Sequence, residues 1–246
     1  MHVGKSGGTT VATATNLEHK HVKPPQHRKI ILWLRNPISR FISAFNFAKA
    51  TITVGKGILR RSKGDIEKLN LENSPFPERL QRQWTHKLRY TYTKIVDSLI
   101  DRFPNVNSLL EALTSNISEE RESAVRLMEY TGSSDAFGFF KSLGWYLDNG
   151  AWVSRNRHRV IFVGTLENMD NDLKEVQRIL KLPESTTIPS LRKMSGTDVS
   201  LTQKGFKNIL AYLEHTDYKA LRALVQANLI SEELYQSYRT YDHVVD

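Results

Sequence analysis

The sequence predicts an α/β fold in which a central parallel sheet is flanked by helices and the C-terminal half is rich in helix. Two short apolar runs, residues 29–34 and 159–164, have the length and composition of buried parallel strands. Helical patterns follow both runs and fill most of the chain after the second one. At 246 residues the chain is long enough to bury a sizeable core, and we expect a single domain over residues 1–246.

The first strand leads directly into a helix start signal. Arg35 closes the apolar run, Asn36 is suited to cap a helix, and Pro37 is suited to its first turn. Apolar residues then recur at helical spacing, which predicts an inward-facing stripe. The residues of this stripe are Phe41, Ile42, Phe45 and Ala48.

Residues 51–78 have a different composition, with several glycines and a basic cluster at 60–63, and we predict a loop or an insertion. Such a segment is either a lid over a ligand or an ordinary surface loop. Residues 78–128 have a helical pattern, with a break at Pro104 and a helix cap at Ser118.

The helices after the second strand are predicted from amphipathic periodicity. Residues 170–182 form one such pattern, in which the inward residues are Leu173, Val176, Ile179 and Leu180. Residues 191–200 are a basic loop that contains glycine. Further helices are expected at 202–213, at 217–228 and after a cap at Ser231.

Composition limits the classes of function. The formal net charge of +9 suits an anionic ligand, a polyanionic substrate or nucleic acid, and it also fits a solvated basic surface. The chain has no cysteine, which excludes disulfides, thiolate zinc sites and thiol nucleophiles. No run approaches the ~20 apolar residues that span a bilayer, and no signal-like segment opens the chain. We therefore expect a soluble, cytoplasmic or otherwise intracellular chain. A membrane anchor upstream of it is the alternative.

The first ten residues have the composition of an anion receptor. Glycines let successive backbone N–H groups turn inward, and the positive end of a following helix dipole adds to them. Lys5 and the hydroxyls of Ser6, Thr9 and Thr10 stand beside those glycines. This pattern predicts a phosphate or sulfate site, and an ordinary Gly/Ser turn beside a lysine is the alternative.

A second anion receptor is predicted at the end of the 29–34 strand. Arg35 ends that strand, and Ser43 stands eight residues further, on the helix that follows. A guanidinium and a hydroxyl in this arrangement can bind one phosphate. Because open α/β sheets bind ligands at the carboxyl ends of their strands, a nucleotide with both 5′- and 3′-phosphates would bridge the two receptors.

Both receptors resemble motifs of the sulfotransferases that use 3′-phosphoadenosine 5′-phosphosulfate (PAPS). Residues 2–10 resemble the 5′-phosphosulfate loop, and residues 35–45 resemble the 3′-phosphate motif. Residues 161–173 and 201–218 are similar to the late segments of the carbohydrate-type branch. The resemblance implies a P-loop-containing nucleotide-binding fold, although only His2 and Val3 precede the loop where the family has a full strand.

The resemblance also implies a role for individual residues. Lys5 would neutralise the bridging oxygen between phosphate and sulfate, and no metal would be required. Arg35 and Ser43 would bind the 3′-phosphate, and Lys193 and Lys204 would add to nucleotide binding. The 5′-phosphate would be held by Ser6, Gly7, Gly8, Thr9 and Thr10.

The acceptor hydroxyl needs a general base, and the histidine-rich segment after the loop supplies candidates. His21 is the first candidate and His19 the second, with Glu18 behind them, because histidine titrates near neutral pH. The partner is expected to be a hydroxyl-bearing acceptor and not a nucleic acid. An anionic glycan suits the basic cluster at 60–63, and a phenol, a lipid or a small metabolite would serve equally.

Two other functions share part of this pattern. A P-loop kinase or NTPase shares the Gly4-Lys5-Ser6 pattern, but it needs an earlier glycine and an Asp that closes a strand to hold Mg²⁺. The first strand here closes on Arg35 instead. A non-enzymatic domain that binds polyanions would explain the charge of +9 but not the paired receptors.

Overall fold

The computed structural model describes residues 11, 15, 27–59, 100–129, 141–182 and 199–245. Within these ranges, strands β1 (Ile30–Leu34) and β2 (Val160–Thr165) pair in parallel. Leu34 lies opposite Thr165, and the Leu166 N–H donates to the Leu34 carbonyl at 2.9 Å just beyond the paired residues. The two predicted strands, their parallel pairing and the α/β class are therefore confirmed.

One face of this strand pair is covered by helix α6 (Met169–Leu180). Leu173 and Val176 of α6 pack with Trp33 of β1 and with Val11, and all four residues are buried. Val11 itself has helical backbone, as does Thr15, whose hydroxyl donates to the Val11 carbonyl at 2.6 Å. The predicted inward face of α6 is confirmed for Leu173 and Val176 but is only half-buried at Ile179 and Leu180.

The other long element is helix α1 (Pro37–Leu59), which begins where the sequence predicts. The side-chain oxygen of Asn36 accepts from the N–H groups of Ile38 at 2.9 Å and Ser39 at 3.2 Å, so Asn36 caps the helix. The predicted apolar stripe is confirmed: Phe41, Ile42, Phe45 and Ala48 are buried in the main core.

Helix α1 continues through residues 51–59, where the sequence predicts the start of a loop or insertion. A loop is therefore wrong for these nine residues, whereas an insertion stays a prediction. Gly55 and Gly57 suggested a break, but a glycine disfavours a helix interior by only about 1 kcal/mol, and propagating an existing helix needs no new nucleus. Residues 60–78 of the same prediction lie outside the described residues.

The next described segment confirms a break near Pro104. Helix α2 (Val106–Ala112) is capped by Asn105, whose side chain accepts from the Ser108 N–H at 2.9 Å. Helix α3 (Ser118–Glu129) begins at Ser118, which the sequence predicts as the cap before the helix. The Arg121 N–H donates to the Ile117 carbonyl, which makes Ile117 the residue before the first turn.

Two short helices, α4 (Leu143–Leu147) and α5 (Ala151–Asn156), lead into β2. Gly150 joins them with a φ of 98°, a conformation that favours glycine. A Cβ at Gly150 would lie 2.6 Å from the Cβ of Ala223, so glycine also permits close packing on helix α8 (Asp217–Gln226).

The C-terminal part of the chain is largely helical, as predicted. Helix α7 (Gln203–Glu214) is capped by Thr202, and helix α9 (Glu232–Ser237) is capped by Ser231. A second parallel pair, β3 (Leu201–Thr202) with β4 (Val244–Val245), closes this region. Among the helices of the described ranges, none has both the length and the apolar character needed to cross a bilayer.

A buried ion pair joins α1 to α8. The Nη2 of Arg40 lies 3.6 Å from the Oδ1 of Asp217, and these side chains are 3% and 0% exposed. Asp217 also accepts from the Leu143 N–H at 2.9 Å, and Arg40 Nη1 donates to the Lys141 carbonyl at 3.1 Å. The pair therefore fixes α1, α4 and α8 relative to one another.

Candidate functional site

The carboxyl ends of β1 and β2 bring Arg35 and Glu167 to one edge of the sheet. Arg35 follows β1 directly, and Glu167 stands two residues beyond β2. Burial lowers the pKa of the Arg35 guanidinium from its ordinary value, and the charge of Glu167 is the largest effect that raises it. The two groups are thus in electrostatic contact, and Arg35 stays cationic at neutral pH.

The turn after β2 is held by Asp172 of α6. One carboxylate oxygen of Asp172 accepts from the Thr165 N–H at 2.6 Å and from the Thr165 hydroxyl at 3.0 Å. The other oxygen accepts from the Asn168 side-chain amide at 2.7 Å. This turn carries Glu167, so its carboxylate is presented to the end of β1 by a fixed backbone.

Glu167 connects that turn to two other parts of the chain. Its Oε1 accepts from the Asn36 N–H at 2.8 Å, and its Oε2 accepts from the Tyr238 hydroxyl at 2.7 Å. The Asn36 side-chain amide donates to the Thr240 carbonyl at 3.4 Å. We call these four residues, Asn36, Glu167, Tyr238 and Thr240, the strand-end junction.

The tyrosine of the junction keeps its proton over the physiological range. Tyr238 is 2% exposed. Burial raises the pKa of its hydroxyl well above the ordinary value, and the neighbouring Glu167 carboxylate raises it further. A protonated Tyr238 is therefore a constant donor to Glu167.

The segment 238–241 is held along its length and forms one wall of the sheet edge. The Tyr238 carbonyl accepts from the Tyr218 hydroxyl at 2.8 Å, and Arg239 donates to Glu214 at 2.6 Å. The Tyr241 hydroxyl donates to the Val199 carbonyl at 2.8 Å. Tyr238 and Tyr241, in their ionised forms, would both raise the pKa of the Arg35 guanidinium, so this wall lies close to Arg35.

The other residue of the predicted 3′-phosphate receptor, Ser43, lies in the second turn of α1. Its side chain is buried, at 6% exposed, whereas Arg35 is half-buried. Arg35 and Ser43 therefore belong to one continuous strand–helix unit, with the Asn36 cap between them. A phosphate at this edge would reach Arg35 from solvent more readily than it would reach Ser43.

Lys204 lies in a different place. It is exposed in the first turn of α7 and lines a cavity of about 570 Å³ together with Arg102, Ser108 and Glu111. Neither Arg35 nor Ser43 lines that cavity. The contribution of Lys204 to nucleotide binding stays a prediction.

The remaining predicted site residues lie outside the described residues. This holds for the whole 5′-phosphate loop, for both histidine candidates and for the basic cluster at 60–63. The residues concerned are Lys5, Ser6, Gly7, Gly8, Thr9, Thr10, His19, His21 and Lys193. Their roles stay predictions.

Sequence reasoning did not identify Glu167 or Tyr238 as part of the site. A signal existed for Glu167, because it is the first charged residue after β2, at the sheet edge where a ligand was expected. Tyr238 gave no such signal, since it follows a helix far from both strands in the sequence. Within the described ranges, no three His, Asp or Glu side chains are grouped to hold a metal ion.

No protein-family model matches the chain, and no curated protein or solved structure matches it either. Its candidate function therefore depends on the residues of this chain alone.

Proposed function

We propose that the chain is a sulfotransferase that moves a sulfuryl group from PAPS to a hydroxyl acceptor. One observation carries the proposal: Arg35 stands at the carboxyl end of a parallel strand, directly before a helix that Asn36 caps and that bears the buried Ser43. A guanidinium in this position supports a 3′-phosphate receptor, because it lies at the sheet edge where open α/β folds bind ligands.

We further propose that the fold is of the P-loop nucleotide-binding type. Two features support it: the parallel pairing of β1 with β2, and the helical Val11, which packs with Trp33 and α6 on one face of that pair. A helix that begins after the 5′-phosphate loop and lies on the sheet would direct its N-terminus toward the nucleotide.

The electrostatics of Arg35 suit an anion. Partial burial strengthens any charge interaction the guanidinium makes, because less water screens it. Arg40 adds a second positive charge close enough to influence Arg35, although the Asp217 carboxylate offsets much of it. Glu167 offsets part of the Arg35 charge and is itself held by two hydrogen bonds.

The reaction would be an in-line displacement at sulfur. The bond between sulfur and the bridging phosphate oxygen breaks, a bond from sulfur to the acceptor oxygen forms, and adenosine 3′,5′-bisphosphate leaves. Lys5 would stabilise the charge that develops on the leaving oxygen, and His21 or His19 would accept the proton of the acceptor hydroxyl. Catalysis would rest on positioning and charge stabilisation, so no metal is assigned.

The acceptor class is an extension of this proposal. An anionic glycan fits the basic cluster at residues 60–63 and the formal net charge of +9. A kinase or NTPase has less support, because Arg35 directly follows β1 and Thr165 is the last residue of β2. Neither position offers the carboxylate that would hold Mg²⁺.

Two measurements test the proposal. Adenosine 3′,5′-bisphosphate is expected to raise the melting temperature, and more so than adenosine 5′-monophosphate, in wild type but not in Arg35→Ala. Arg155→Ala is the matched control, because Arg155 is an exposed arginine that pairs with Asp148 away from the strand ends. Transfer of labelled sulfate from PAPS to a panel of hydroxyl acceptors is the direct assay. Dependence of turnover on Mg²⁺ with consumption of a γ-phosphate would contradict the proposal.

A further inference from the structure

The strand-end junction couples three segments that are remote in the sequence. Glu167 is 131 residues from Asn36 and 71 residues from Tyr238, and Asn36 is 204 residues from Thr240. Each contact is a hydrogen bond, and both bonds to Glu167 involve a charged acceptor, which makes them stronger than bonds between neutral groups. The junction therefore ties the C-terminal segment to the turn that carries Glu167 and to the start of α1 beside Arg35.

The junction is built so that its carboxylate has little freedom. Asp172 fixes the backbone that carries Glu167, and the two Glu167 oxygens have separate donors. With both oxygens engaged, Glu167 is held in an orientation that it would lose if either donor were removed. A Glu167 that is not held would no longer fix the Asn36 N–H, and with it the start of α1, beside Arg35.

We propose that Glu167 and Tyr238 are positioning residues of the Arg35 anion site, through which the C-terminal segment 238–241 controls recognition of the 3′-phosphate. Tyr238 keeps the Glu167 carboxylate turned to the C-terminal segment, and Glu167 keeps the Asn36 N–H, and with it the start of α1, in place. This inference rests on the proposed function, since it concerns the phosphate that Arg35 would bind.

The inference predicts a selective effect. Loss of the Tyr238 hydroxyl removes one donor from Glu167 without removing any group that would touch the nucleotide. Affinity for a nucleotide with a 3′-phosphate should fall, whereas affinity for one that has only a 5′-phosphate should not. A purely structural role of Tyr238 would instead change both affinities together.

The test is calorimetric titration of the full chain with adenosine 3′,5′-bisphosphate and with adenosine 5′-monophosphate. For Tyr238→Phe we expect affinity for the bisphosphate to fall about ten-fold, as for the loss of a hydrogen bond to a charged group, with the monophosphate changed less than about two-fold. Tyr212→Phe is the matched control: its hydroxyl donates to the Met128 carbonyl at 3.0 Å instead of to Glu167. It should leave the ratio of the two affinities unchanged.

Glu167→Gln serves as a second variant, because Glu167 is exposed enough for the chain to fold with glutamine there. Glutamine keeps one acceptor oxygen and loses the other, so it should lower the same ratio. The outcomes separate the two proposals. If wild type binds the bisphosphate no more tightly than the monophosphate, the proposed function is wrong. If wild type discriminates and both Tyr238→Phe and Glu167→Gln keep that discrimination, or lower both affinities equally, only the present inference is wrong.

Discussion

The Arg40 guanidinium lies 3.6 Å from the Asp217 carboxylate, and both side chains are almost completely excluded from solvent. The Nε of Arg40 has no hydrogen-bond partner within the described part of the chain. A buried charge of this kind depends on its ionic partner, because removal of that partner leaves it desolvated and uncompensated.

We therefore expect Asp217→Asn to lower the free energy of unfolding by about 3–5 kcal/mol. Urea unfolding monitored by circular dichroism is the measurement. Asp148→Asn is the matched control: Asp148 pairs with Arg155 at 2.7 Å, but both side chains are more than half exposed. Exposed pairs contribute about 0–1 kcal/mol, so equal losses in the two variants would contradict the prediction.

Gly164 is expected not to tolerate a side chain. It lies opposite Trp33 in the parallel ladder, and a Cβ there would be 2.5 Å from the indole ring. Because the ring is also packed by Leu173 and Val176, we expect Gly164→Ala to lower the free energy of unfolding by about 1–3 kcal/mol.

A double-mutant cycle tests the cause of that loss. In a Trp33→Leu background the Gly164→Ala substitution should be markedly less destabilising, since the indole atoms that it meets are gone. Additive losses in the cycle would mean that the ring contact is not the reason glycine is needed.

The two asparagine caps should separate stability from binding. Asn36 caps α1 and Asn105 caps α2, so either Asn→Ala change should lower the free energy of unfolding by about 1 kcal/mol. Only Asn36→Ala should also weaken binding of adenosine 3′,5′-bisphosphate, because Asn36 alone adjoins Arg35 and donates to Thr240. Titration of both variants checks this, and weaker binding in Asn105→Ala as well would count against a local effect at Arg35.

Alkaline stability should depend on buried tyrosines. Burial, with a further contribution from the charge of Asp217, raises the pKa of Tyr212 to about 12. The unfolded chain would release this proton near pH 10, the ordinary value, while the folded chain retains it. The contribution of Tyr212 is therefore intact below about pH 10 and is lost as the pH rises from about 10 to 12.

The unfolding free energy should fall less between pH 9 and pH 11.5 in Tyr212→Phe than in wild type. The difference should be at most that expected when the folded chain binds about one proton more than the unfolded chain. Urea titrations at several values of pH measure it. Tyr218 and Tyr238 also have raised pKa values, so both wild type and Tyr212→Phe should lose some stability over this range. Parallel curves for the two proteins would show that Tyr212 does not titrate as its burial implies.

Local signals explain which parts of the fold could be predicted from sequence. The apolar runs of β1 and β2 and the caps at Asn36 and Ser231 lie within a few residues of the structure that they specify. The end of α1 could not be predicted in this way. Whether a helix continues past Gly55 and Gly57 depends on what it packs against, and composition alone does not show that.

The same distinction between local signals and tertiary contacts applies to the candidate site. Arg35 and its relation to the helix start could be predicted, since strand, cap and helix are contiguous in the chain. The bond between Tyr238 and Glu167 could not, because it joins residues 71 positions apart and only the folded chain brings them together. Of the predicted receptor residues, Ser43 is more deeply buried than a simple receptor would require, which local spacing does not reveal.

The pairing of Ile30 with Val160 also has a kinetic consequence. Closing a parallel ladder across so long a stretch of chain carries a large loop entropy, whereas the contacts among α7, α8 and α9 are local. We expect these helices to form early in refolding and the β1–β2 ladder late. Stopped-flow refolding would then show helical circular dichroism before competence to bind nucleotide, and simultaneous recovery of both would contradict this order. An intermediate of this kind would be rich in helix but would lack the junction, so competence for ligand would be the last property that the chain acquires.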